Sequence, residues 1–396
     1  MNNSSIPQRF QFPSPSFQPY WENGRGKKML SKLPNLPNEK EISALIPHYF
    51  EVDELADKVI QETVVPLGFE AAMNLFGKAF TSHFPIDQFP NSAQLIAEME
   101  TTPEWLDRTL LEFGSLLCQR SGSLGLMVLR NYCLMGGYES AAINKPLVYT
   151  GALKKGAAKR LRETTEFWLQ VVGPDAYEAK TIHRYCLQTR LMHAYSRYMI
   201  LKETDWNNDL WGKPLNQWDM VATNLGFSLV YLDGLRAMGF DPTPQEVTGL
   251  FHFWKYLGTL LGIPAELLPE TEEKAIEQLY AWTMNQPAAD ADTVSLAQAL
   301  MEEPLHSPFP RFKWQKRIVR HIHLGYNAYF LGENSCHNLG LPYSKARFII
   351  RNQKNRQQRK EFQTLRSSIY YLRSVDRNRK TQEKIVKQFF QLKANQ

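Results

Sequence analysis

This sequence predicts an all-α fold: a single large helical domain followed by a basic helical C-terminal extension. Three observations carry the prediction. Apolar residues recur at helical spacing through most of the chain beyond residue 40, while alternating runs are short and rare. Helix-start signals stand in front of several of these runs. The chain has 396 residues, 43% hydrophobic and 12% aromatic, which is ample material for a core and excludes a disordered protein.

The elements follow in order. Residues 1–40 are rich in Pro, Asn and Ser and poor in periodic apolar positions, so an extended or disordered arm is expected. Residues 41–342 form the helical domain and 343–396 the extension. Asn91 with Gln94 has capping-box spacing. Thr102-Pro103 reads as an N-cap with proline at the first helical position, and Leu106, Leu110, Phe113 and Leu117 line up behind it. Leu147 to Thr150 is the best strand candidate. Helical periods then cover 158–172, 181–203, 216–238, 244–261, 270–285 and 312–332. Thr243 with Glu246 is a second capping box. In the extension Phe362, Leu365, Ile369 and Leu372 recur at helical spacing, as if packed on something.

The net charge of +6 conceals an asymmetry: residues 341–396 carry a net +12 and the rest −6. Such a tail suits a solvated helix pair, a peripheral membrane contact or nucleic acid. No zinc-finger or RNA-recognition signature supports nucleic acid. The four cysteines lie far apart with no CxxC pair, which argues against structural zinc and suits a reducing compartment. The N-terminus shows no secretion signal, and no stretch reaches the roughly 18 apolar residues that a membrane span needs. A soluble, cytoplasmic protein is expected.

One segment departs from an ordinary amphipathic helix. Leu187, Leu191, Ala194, Tyr198 and Leu201 form an apolar face, and beside it runs a second stripe of Cys186, Arg190, His193, Arg197 and Ile200. Two guanidinium groups at the margin of a core are costly unless something anionic meets them. They also oppose protonation of the histidine between them, which keeps His193 neutral and able to bind a metal. On another helix Arg160, Thr164 and Phe167 share a face. A neutral ligand, several cations and an apolar wall match the needs of a haem: an axial ligand, partners for two propionates and a flat slot. A salt-bridged structural network of the same residues is the plainer alternative.

These motifs resemble the family of the latex-clearing rubber oxygenases and the MpaB-type oxygenases. That family joins R-x3-T to R-x2-H-A-x2-R about thirty residues on, here Arg160–Thr164 and Arg190–His193–Ala194–Arg197. Its W-G-x-P-[IL]-N-Q-x-D is matched by Trp211, Gly212, Pro214, Leu215, Asn216, Gln217 and Asp219. Trp254, Gly258, Gly262, Pro269 and Leu339-Gly340-Leu341-Pro342 match later positions. The resemblance implies a globin-related core binding haem b, with His193 as the iron ligand. Arg160, Thr164, Arg190 and Arg197 would shape the pocket, hold propionates or orient the histidine, with Arg160 and Thr164 nearest the chemistry. It also implies O2-dependent oxidation of an apolar, unsaturated lipid or terpenoid. Two departures stand out. Glu163 occupies the position where rubber oxygenases carry a lysine, and no acidic base is evident, Glu139 being a candidate. A non-catalytic haem-binding or scaffold protein is therefore the competing expectation.

Overall fold

The computed structural model describes residues 6–80, 88–151 and 157–390. Among them there is no β-strand. The helices that matter for the site are α1 (Glu54–Val59), α2 (Pro90–Glu100), α3 (Arg108–Arg120), α4 (Ala141–Tyr149), α5 (Ala157–Val171), α6 (Thr181–Glu203), α7 (Gln217–Leu225), α8 (Tyr231–Ala237), α9 (Pro244–Leu260), α10 (Glu272–Thr283), α11 (Ala291–His306), α12 (Lys313–Asn338), α13 (Arg347–Thr364) and α14 (Ser368–Phe390). The six helical periods of the middle of the chain are thus all present, with small shifts at their ends.

Three indoles, Trp168, Trp218 and Trp254, sit at the centre with at most 1% exposure. A ring of that size buries roughly 150–250 Å², about 4–6 kcal/mol of apolar transfer at ~25 cal/mol per Å². The tightest helix crossing joins α3 to α9. Gly114 and Gly249 make it possible: a Cβ on Gly114 would lie 2.3 Å from the Gly249 carbonyl oxygen. Thr243 closes the start of α9 with the expected capping box, its hydroxyl accepting from the Glu246 amide.

Elsewhere local signals were overridden. Leu147–Thr150, the strand candidate, lies in and just after α4; its apolar run belongs to a helical face rather than to an alternating strand. Thr102-Pro103 does not start a helix; α3 begins at Arg108, where Asp107 accepts from the Thr109 and Leu110 amides. Asn91 is not a cap either. The Glu62 carboxylate takes the amides of Asn91 and Ser92, so a residue from another element satisfies the start of α2. Residues 6–40 are not a disordered arm. Arg9 is buried and pairs with Asp219 through two bonds of 2.7 and 3.0 Å, and the Trp21 indole donates to Thr283.

The C-terminal extension is held by polar anchors and by buried Ile350, Val375 and Val386, while its expected stripe through 362–372 faces outward. Phe362, Ile369 and Leu372 are exposed, whereas Glu361 and Gln382 are buried. Arg120 of α3 bonds both Glu246 and Glu361 at 2.5 Å, and Gln382 donates to the Cys118 and Gly122 carbonyls and the Ser121 hydroxyl. A buried arginine needs such counter-charge, so α13 and α14 complete the core instead of trailing from it.

Candidate functional site

α5 and α6 form an antiparallel pair joined by a tight connection, and Glu166 meets Tyr185 across it at 3.5 Å. Counting from that contact at ~1.5 Å per residue puts Arg160 level with Leu191 and Thr164 level with Leu187. Among the described residues no hydrogen bond or ion pair joins Arg160 or Thr164 to Arg190, His193 or Arg197.

His193 is half-buried. Its Nδ1 is sealed from solvent with no hydrogen-bond partner, and no bond to the other ring nitrogen occurs among the described residues. Burial and the nearby Arg197 charge push its pKa down to about 4, against a smaller opposing pull from Asp53. The ring is thus neutral at physiological pH, as expected from its neighbours.

The anion that meets the two arginines comes from the chain itself. Arg190 binds Asp53 in a two-bond pair of 2.5 and 2.9 Å. Arg197 binds Asp57, its shortest contact being 2.6 Å, and also donates to the Leu215 and Asp53 carbonyls. Asp53 caps α1, accepting from the Ala56 amide, and so places Asp57 one turn on along the same helix. The expectation that Arg190 and Arg197 hold propionates meets a physical obstacle here. All three guanidinium nitrogens of Arg197 are engaged, whereas Arg190 Nη1 makes no hydrogen bond among the described residues. Sequence reasoning missed Asp53 and Asp57. The one signal was their i,i+4 spacing at a helix start, which nothing local connects to arginines some 140 positions away.

The later motif residues serve this same cluster. Gly212 has φ +73°, and a Cβ there would lie 2.6 Å from the Tyr49 carbonyl oxygen. Leu215 supplies the carbonyl for Arg197. Asn216 caps α7 by accepting from the Asp219 amide, and Gln217 donates to the Gly262 carbonyl. Gly262 has φ +87°, and a Cβ would fall 2.1 Å from an Asp53 carboxylate oxygen and 2.8 Å from Arg190 Nε. Only glycine fits against that ion pair.

Arg160 is partly buried and donates to the Tyr138 hydroxyl at 3.2 Å, with its guanidinium over that ring at 5.4 Å. It has no carboxylate partner among the described residues. Thr164 is half-buried and its hydroxyl makes no hydrogen bond among the described residues. Glu163 is exposed and pairs with Lys159 at 3.6 Å along the outside of α5. Glu139 is buried and accepts from Asn338 at 2.7 Å; burial raises its pKa to about 7. It follows Tyr138, the partner of Arg160, directly in sequence. Among the described residues no group of three or more His, Cys, Asp or Glu could hold a metal ion.

The sequence profile of the catalytic domain described as ER-bound oxygenase MpaB/B′/rubber oxygenase matches residues 120–353. Among solved structures the chain is similar to latex clearing protein LCP in the closed state. The TM-score is 0.64 and the identity 20%, over 86% of this chain and 91% of that one. No curated protein sequence matches it.

Proposed function

Since the chain belongs to the MpaB/rubber oxygenase catalytic-domain family of oxygenases, we propose that it is a haem b-dependent oxygenase acting with O2 on an apolar, unsaturated lipid or terpenoid. The observation that carries this reading is His193: a neutral imidazole, its Nδ1 buried and unpartnered, framed by two arginines whose charge is cancelled within the protein. A porphyrin needs only one such ligand from the chain, whereas a bare ion needs several.

When bound, haem b supplies an iron that activates O2. His193 would hold it. Burial, with the Arg197 charge, keeps the imidazole unprotonated, and Asp53 and Asp57 pair with Arg190 and Arg197 so that these can stay buried. Arg160, with no carboxylate partner among the described residues, would meet a propionate, and Thr164 shares its face of α5. Glu139, with its pKa near 7, is the carboxyl in this part of the fold that could take or give a proton at neutral pH. The four free cysteines fit the cytoplasm as the place of action.

Absorption spectroscopy tests the reading. Protein from haem-replete cells shows a Soret band that His193→Ala abolishes; colourless protein overturns haem binding. O2 consumption with a panel of unsaturated lipids and terpenoids then separates an oxygenase from a haem-binding sensor or scaffold, which would consume none.

A further inference from the structure

Residues 304–332 contain no Asp or Glu, and five cations: Arg311, Lys313, Lys316, Arg317 and Arg320. Through the same stretch large apolar side chains stand in water. Phe312 is 57% exposed, Trp314 60%, Ile318 50% and Ile322 41%. On α12 Trp314, Ile318 and Ile322 recur every four residues, so they form one stripe, with exposed Arg317 and His321 beside it. The opposite side of this half of α12 is already used. Arg320 pairs with Glu302 of α11 at 2.6 Å, and Lys316 reaches the Leu305 carbonyl at 3.5 Å. The stripe therefore has no partner in the fold among the described residues. It continues toward α13: three residues past Ile322, Gly325 meets Ala346, after which Phe348 and Ile349 are again exposed.

We propose that the stretch from Phe309 to Ile322 is a peripheral docking surface for an anionic phospholipid bilayer. Charge complementarity selects the occupant. A second copy of this chain would set the exposed Arg311, Lys313 and Arg317 against cations of its own. Nucleic acid would use the cations but leave the indole and the aliphatic groups without a role. An anionic membrane uses both: basic side chains meet the headgroups, and aromatic and aliphatic ones enter the boundary with the acyl chains. The contact rests on the function proposed above only in its consequence, which is to bring the site to an apolar substrate dissolved in lipid. Binding itself needs no haem.

Co-sedimentation of the full-length protein with phosphatidylcholine vesicles, with and without phosphatidylserine, tests this. Binding is expected only to the phosphatidylserine vesicles. Trp314→Ala combined with Ile318→Ala weakens it by on the order of tenfold, and Lys313→Glu with Arg317→Glu removes its dependence on phosphatidylserine. All four side chains are exposed, so both variants fold and keep the wild-type absorption spectrum. Failure of haem binding would show in that spectrum and leave vesicle binding intact. Absence of binding to the anionic vesicles, or binding unchanged in both variants, overturns the proposal. So does binding of an oligonucleotide that the charge reversals abolish while vesicles are ignored, or a dimer that the apolar substitutions dissociate.

Discussion

Helix α6 carries two histidines ten residues apart, His183 and His193, and they look alike by every electrostatic measure. Both have a buried, unpartnered Nδ1, and in both burial and a nearby cation lower the pKa to about 4. They differ in what closes them. His183 is 1% exposed, bonds Tyr256 at 3.1 Å and is enclosed by the rings of Phe80, Tyr177 and Tyr256. Among the described residues His193 has no bond to either nitrogen, and it stands between two arginines in sequence that are each paired with an aspartate. A depressed pKa therefore does not distinguish a structural histidine from a ligand. What distinguishes them is whether the protein has already used the ring.

The comparison breaks most sharply if the frame around His193 can be dismantled without effect. Asp53→Ala leaves Arg190 buried and unpaired, and urea unfolding should report a loss of about 3–5 kcal/mol. Gly262→Ala forces a side chain into the same ion pair from a left-handed backbone position, and a loss of about 2–3 kcal/mol is expected in the same assay. At the next level the two histidines should separate. His183→Ala costs roughly 1–3 kcal/mol, because the Tyr256 hydroxyl loses its partner, and leaves the absorption spectrum unchanged; His193→Ala removes the spectrum at less cost in stability. A spectrum that follows His183 instead would reverse the assignment.

The pH dependence is shared by both rings. Each binds a proton in the unfolded chain near pH 6.5, yet resists one in the folded protein until about pH 4. Stability should thus fall as pH drops through that window and level off below it. Replacing either histidine by Gln should flatten the slope. The smallest effect belongs to the outside of α5: Glu163→Lys should change stability by no more than ~0.5 kcal/mol, because its pair with Lys159 is exposed.

What the sequence made legible was periodic. Helices α5 to α9 are read directly from apolar spacing, and so is the Arg190–His193–Arg197 stripe, because three- and four-residue intervals fix which side chains share a face. What it hid was contact between distant segments. Asn91 looked like a cap until Glu62 took its amide, and Thr102-Pro103 looked like a helix start until Asp107 proved the better acceptor. The proline-rich beginning gave no periodic signal, yet Arg9 finds Asp219 in the core. Asp53 and Asp57, which decide what the two arginines are free to do, could not be linked to them by any local pattern.

Asp53 and Asp57 lie before the stretch that the family profile covers, and Glu361 lies after it. A recombinant piece trimmed to residues 120–353 would therefore keep Arg120, Arg190 and Arg197 while discarding their acidic counterparts. Such a fragment would hold bare guanidinium groups in its interior, Glu246 alone remaining for one of them. For this chain the smallest unit that can be transplanted or engineered is nearly the entire polypeptide.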